Sequence, residues 1–164
     1  MNAFMTNGTY DFLLKLAEKY PAIKFHFMKG TSNDVAYYEG TKQSVFVSGR
    51  AFEVLVQSGD ILDSGYVVMN NIPVTDEGVP IFEDNFKKRQ QAIDKQEGFQ
   101  AFRLLKPTKG NTYIVFTQWD SMDSFEQWKD SEGFQKAHVD TKPSAYFADR
   151  PFVNTYHMIE KDKK

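Results

Sequence analysis

The apolar positions change period several times along the chain, and each change marks an element. Phe12, Leu13, Leu16, Ala17 and Tyr20 recur at helical spacing behind Thr9, whose hydroxyl suits an N-cap, and Pro21 stops the run. Over residues 23–28 the period drops to two, with Ile23, Phe25 and Phe27 on one side and Lys24, His26 and Met28 on the other, which predicts a strand. Short strands are expected over 35–39 and 44–47, parted by the turn residues Gly40, Thr41 and Lys42. Phe52, Leu55 and Val56 read as a second helix closed by Gly59. The polar stretch 59–65, with two Asp, a Ser and two Gly around Ile61 and Leu62, is the natural boundary between 1–64 and 65–164.

Beyond it a strong strand runs from Tyr66 to Val74. Asp76 and Pro80 then open a helix carrying Val79, Phe82, Phe86 and Ile93 on one face, and Glu97-Gly98 ends it. Strands 99–105 and 112–119 flank a loop containing Pro107 and Gly110 and form an antiparallel hairpin. Asp120 or Ser121 caps a helix that Ser131-Glu132-Gly133 interrupts before a last turn through His138, and a polar loop leads to a final strand over 152–159. Strand, helix, strand, strand, helix, strand is the order of an α+β, ferredoxin-like domain, one sheet with helices on one face. Residues 1–64 are expected as an N-terminal α/β extension packed on it, lengthening the sheet or imitating the second half of a dimer.

Composition narrows the function by exclusion. The 164 residues include no cysteine, which removes disulfides, thiol nucleophiles, iron–sulfur clusters and thiolate zinc sites. Basic residues number 20 against 22 acidic, evenly spread, so there is no basic stripe for nucleic acid or anionic membrane. No apolar run approaches a membrane span and Met1–Gly8 lacks the features of a signal segment, so a soluble, cytoplasmic protein is expected. Aromatic residues reach 15%, more flat apolar surface than a core of this size requires, which suits a ring-shaped ligand.

Few side chains have a pattern that carries chemistry. The three histidines are His26, His138 and His157, and none stands in a multi-histidine metal motif. His26 and His157 lie on strands, where a hydrogen-bonded or exposed imidazole is the plain reading. His138 shares a helical face with Phe134 just past a helix break, a placement that suits an imidazole reaching a metal whose other ligands come from a cofactor, although a packed histidine is the commoner explanation. Trp128 pairs with Phe125 as ordinary core does. Asn70-Asn71 is odder, because two amides in mid-strand point to opposite faces and one of them must meet the core, where an unpaired amide costs about 1–3 kcal/mol. Asp120, Asp123, Glu83 and Asp84 read as caps and solvated faces. The run Lys87-Lys88-Arg89 is a solvated helix face that could also neutralise an acidic ligand.

Taken together, Val68-Met69-Asn70-Asn71, Glu97-Gly98-Phe99 and the stretch from Phe125 through Trp128 to Phe134 and His138 resemble the IsdG-type heme-degrading monooxygenases of the antibiotic biosynthesis monooxygenase superfamily. The opening Gly8-Thr9-Tyr10-Asp11-Phe12-Leu13 matches the longer form of that family, whose layout TRAP-type regulatory proteins share. The resemblance implies a ferredoxin-like domain of the dimeric α/β-barrel type, with heme as both substrate and cofactor. It further implies dioxygen, an external electron donor such as a reductase, iron release and a place in iron acquisition. It assigns His138 as the iron ligand, Trp128 as the residue that presses on the porphyrin and an Asn as the distal amide. Counting back from Glu97-Gly98-Phe99 puts that Asn at 71, and a one-residue slip would make it Asn70. Phe82, Phe86 and Phe134 become candidate walls. Short members of the family are homodimers, so this longer chain is a monomer or dimerises through another surface. The competing readings are a TRAP-like regulator without catalysis and a heme storage or delivery protein.

Overall fold

The structure, a computed structural model, describes residues 1–41, 43–93, 95–130 and 147–160, with the side chains of 89–92 left aside. Its described strands are β1 (Asn2–Gly8), β2 (His26–Lys29), β3 (Asp34–Gly40), β4 (Arg50–Ser58), β5 (Tyr66–Pro73), β6 (Phe99–Pro107), β7 (Thr112–Trp119) and β8 (Phe152–Ile159). The helices are α1 (Tyr10–Glu18), α2 (Val79–Ile93) and α3 (Met122–Lys129). Thr9 accepts the Phe12 amide and caps α1 as expected; Ser121 does the same for α3 through the Ser124 amide. None of the described helices is long and apolar enough to cross a membrane.

All eight strands close into one barrel in the order β1-β3-β2-β8-β5-β7-β6-β4. Within it β8-β5-β7-β6 is the ferredoxin-like order expected beyond Tyr66. The strands before residue 64 repeat it as β4-β1-β3-β2, with no described helix between β3 and β4. Two antiparallel seams join the halves, β2 with β8 and β4 with β6. The early strands thus imitate a second subunit within one chain, and every barrel strand has a hydrogen-bonded neighbour on both sides.

Two expectations for this region are corrected. The helix expected around Phe52, Leu55 and Val56 is strand β4: a bulge between Val54 and Val56 shifts its parity, so Phe52 and Val54 pack in the barrel while Leu55 and Val56 pack outside. A bulged strand and a helix place apolar residues at similar intervals. Residues 44–47 form no strand either, because the edges of β1 and β3 are already paired. Instead, Val45 and Phe46 pack on the outer face, where the Val45 amide donates to the Tyr38 hydroxyl at 2.9 Å.

The interior is filled by Met5, Met28, Met69, Tyr37, Phe52, Phe116, Leu105 and their neighbours. One end is stoppered by the 59–65 segment. Ile61 plugs the core, the Gln118 side chain exchanges hydrogen bonds with Leu62 and donates to the Ser64 carbonyl, and His26 Nδ1 meets Asp63 Oδ1 at 2.8 Å. Gly59 and Gly65 bound the plug with positive φ values of 70° and 109°, and a side chain at either would strike the backbone of Gln100 or Trp119. Arg103, buried, donates to the carbonyls of Ser58, Gly59 and Phe102 and to Glu39 Oε2 at 2.8 Å; the same oxygen accepts the Tyr37 hydroxyl at 2.7 Å. Outside, α1 covers β1, β2 and β3 over an aromatic cluster in which Phe4, Phe25 and Phe46 surround Tyr38 with centroids 5.0–5.4 Å away.

Replacing Arg103 by Leu strands the Glu39 carboxylate and three carbonyls, and urea denaturation should show a loss of about 3–5 kcal/mol, part of which the double variant Arg103→Met/Glu39→Leu recovers. Burial raises the pKa of Tyr37 first, with the Glu39 charge adding to it, and burial also raises Tyr113 and Tyr156. The phenols of the unfolded chain ionise near pH 10 while the folded ones hold their protons. Stability is therefore full below pH 10 and falls above it, and alkaline denaturation should set in with most of Tyr37 and Tyr113 still un-ionised by ultraviolet absorbance.

Candidate functional site: the covered face of the second sheet

Strand β5 decides which residues can meet. Its alternation sends Val67, Met69 and Asn71 into the barrel and Tyr66, Val68, Asn70 and Ile72 outward beneath α2 and α3. Asn71 is fully buried inside the barrel, and its Nδ2 donates to Asn154 Oδ1 at 2.9 Å and to the carbonyls of Met69 and Phe152 at 3.2 and 3.3 Å. The barrel wall thus separates Asn71 from Trp128, and Asn70 is the amide on the helix side.

Asn70 is half-buried, and its Oδ1 is buried with no hydrogen-bond partner. Its neighbours across the ladder are Val115 on β7 and Val153 on β8. Val115 is half-buried and Val153 is 55% exposed, so the described residues leave this strip of apolar floor only partly roofed. On one side of the strip α2 presents Phe82 and Phe86, ring centroids 4.7 Å apart, with Phe82 edge-on to Tyr113 at 4.9 Å. On the other side α3 presents Trp128, tilted against the buried Trp119 at 5.4 Å. The structure therefore gathers Asn70, Phe82, Phe86 and Trp128 on one face. His138 and Phe134 lie outside the described residues.

An amide whose buried end is unpaired can present either an oxygen or, after a half-turn, an N–H donor, and it retains a strong demand for a partner. Flat apolar walls and one orienting polar group are what a planar ligand requires. Among the described residues no group of three or more His, Cys, Asp or Glu could hold a metal ion, so a metal would have to bring most of its own ligands. A porphyrin does so, and the unsatisfied Asn70 amide over an apolar floor fits one.

The remaining candidates fall elsewhere. His26 is bonded at the plug and His157 is exposed on β8 beside Tyr66. Lys88 pairs with Asp84 one turn away, as a solvated helix face does. Glu83 is not such a face: half-buried, it accepts the Tyr113 hydroxyl and lies 3.5 Å from Lys106 Nζ, tying α2 to β6 and β7. Sequence reasoning missed this tie and Trp119. The strong β7 alternation marked Tyr113 and Trp119 as apolar but held no sign of their partners on other elements.

A protein-family model described as antibiotic biosynthesis monooxygenase matches residues 65–140. The chain is 30% identical over 128 residues, 78% of its length and 77% of the relative's, to a heme-degrading monooxygenase of Listeria monocytogenes. It is 24% identical over 144 residues, 88% of its length and 86% of the relative's, to the signal transduction protein TRAP of Staphylococcus aureus. Among solved structures, a major regulator of staphylococcal pathogenesis superimposes with a TM-score of 0.88 at 23% identity, covering 97% of this chain and all of that one, which is a likeness of fold. With its ferredoxin-like half matched by the family model and most of its length aligned with the Listeria enzyme, the chain belongs to the antibiotic biosynthesis monooxygenase family.

Proposed function

We propose that this protein is a heme-degrading monooxygenase, binding heme against the outer face of β5 and opening the porphyrin with dioxygen and electrons from an external donor. The observation that carries the reading is the buried, unpartnered end of Asn70, set between the aromatic walls of α2 and α3. The 30% identity to an enzyme named for that activity supports it. His138, within the matched stretch, is proposed as the iron ligand on the resemblance of the Trp128-to-His138 segment.

Bound heme would supply an iron centre at which dioxygen is reduced. The chain's own residues do the rest. Phe82 and Phe86 exclude water from one side of the slot and hold the ring plane by dispersion. Trp128, braced from behind by Trp119, would press as a stiff wedge on a macrocycle seated against it. Asn70, its backbone fixed by ladders to β7 and β8, offers an amide N–H to an oxygen held over the ring. That donor would bias which edge of the ring the oxygen meets, and being pre-aimed it costs no reorganisation at the moment of reaction.

A regulatory reading keeps some force from the TRAP relative, and storage from the same pocket. One titration separates all three. Hemin should generate a Soret band that decays on adding ascorbate, with iron captured by a chelator; a stable band points to storage, and no band sinks the heme reading in favour of a regulator.

Asn70→Ala should retain the Soret band while slowing its decay by about a hundredfold, the usual loss when a single aimed donor is removed. Asn71→Ala should leave decay near wild type and lower stability by about 1–3 kcal/mol in urea, since it removes the buried amide that bonds Asn154 and the Met69 and Phe152 carbonyls. The reverse pattern would return the role to Asn71. Trp128→Ala should bind hemin and degrade it slowly, whereas His138→Ala should lose the Soret complex; an unchanged spectrum in the latter refutes the ligand assignment.

A further inference from the structure

A line of rings crosses the outer face of the sheet and runs on past the two indoles that form the wedge. Phe99 on β6, Trp119 on β7, Tyr66 on β5 and His157 on β8 are successive register partners across four strands. Helix α3 lays two more rings over them. Trp128 is 5.4 Å from Trp119, and Phe125 is 6.0 Å from Trp119 and 6.1 Å from Tyr66. Tyr66 is edge-on to His157 at 5.1 Å, and His157 is exposed. The line thus starts at the wall of the candidate chamber and ends at solvent. Packing would be served as well by phenyl or aliphatic groups of similar volume, whereas indoles and a phenol are also the side chains most readily oxidised by one electron.

We propose that Trp128, Trp119 and Tyr66 form a one-electron conduit that drains oxidising equivalents from the chamber toward the rim of the sheet, where Tyr66 meets the exposed His157. This rests on the heme reading, since it takes as oxidant the one-electron oxidant generated when bound heme meets a peroxide. That oxidant gains one electron from Trp128, Trp128 regains one from Trp119, and Trp119 regains one from Tyr66. Trp119 keeps its proton throughout, because Nε1 is held by Thr117 Oγ1 at 3.0 Å in a fully buried site, so no proton has to leave the core. Tyr66 releases its phenolic proton to solvent and becomes a neutral radical, which an external reductant such as ascorbate restores with one electron while a proton returns from water. Phe125, too hard to oxidise, is the apolar medium between Trp119 and Tyr66. A chamber that handles oxygen then discharges a stray oxidant at Tyr66, a ring only 7% exposed beside the exposed His157, before it damages Trp128.

The test is radical trapping in hemin-loaded protein. The Soret band is checked first, hydrogen peroxide is added with a nitroso spin trap, and the adducts are located by peptide mass spectrometry. The expected adduct is on Tyr66 and depends on hemin. In Trp119→Phe it should fall several-fold while oxidation of Trp128 rises. In Tyr66→Phe, which removes only a hydroxyl, the adduct should retreat to Trp119 or Trp128, and Tyr66→Trp should restore trapping at position 66. A Tyr66 adduct undiminished in Trp119→Phe, or wild-type adducts confined to other tyrosines, overturns the conduit. A chain that takes up no hemin at the first step overturns the heme reading, and the conduit with it, before any radical is sought.

Discussion

The constraint on which the rest of the structure depends is the closure of the backbone hydrogen-bond ladder within one chain. A four-stranded ferredoxin-like sheet has two bare edges, and each invites another strand. Here β8 finds β2 and β6 finds β4, so both edges are satisfied by residues 1–64. Closure also creates a second apolar space, since the face of β5–β8 turned away from the helices becomes barrel interior and must be filled. Four methionines, Tyr37 and Phe116 fill it, stacked at 5.4 Å in the case of the last two. Polar side chains enter this space mostly near its ends, each with partners: Arg103 with Glu39 and the plug carbonyls, Asn71 with Asn154.

The candidate site is the counterpart of that filled interior. On the other face of β5 the described helices leave Asn70, Val115 and Val153 incompletely covered, and this is where a buried amide end goes unpaired. The contrast between neighbouring residues is a matter of parity alone. The Asn71 amide makes three hydrogen bonds, whereas the buried Oδ1 of Asn70 makes none. The two indoles of α3 and β7 supply rigidity behind the slot, and the Glu83–Tyr113 bond fixes the angle of α2 on its far side.

Most of the second half was legible in the sequence, because β5, α2, the β6–β7 hairpin, α3 and β8 keep their periods over most of their length, with β6 irregular only between Phe99 and Ala101. The first half was less so. A single bulge disguised β4 as a helix, and the short apolar run 44–47 imitated a strand although no edge was free to receive it. A count along the chain cannot determine parity within a strand, so it could not tell which asparagine of the pair lies on the helix side. Trp119, Glu83 and Tyr113 escaped notice because their partners are remote in sequence; only register brings them together.

The internal repetition of strand order has one more consequence. If Thr9 is aligned with Thr75, whose hydroxyl accepts the Gly78 amide in the turn before α2, Phe4 occupies in the first half the place Asn70 holds in the second, and the surface around Phe4 is sealed by the rings of Phe25, Tyr38 and Phe46. In a symmetric pair of identical subunits every substitution is made twice, so a residue cannot be surrendered on one side without being lost on the other. Two sheets of one chain carry no such tie: the outer face around Phe4 is packed with rings, while the face around Asn70 stays partly uncovered.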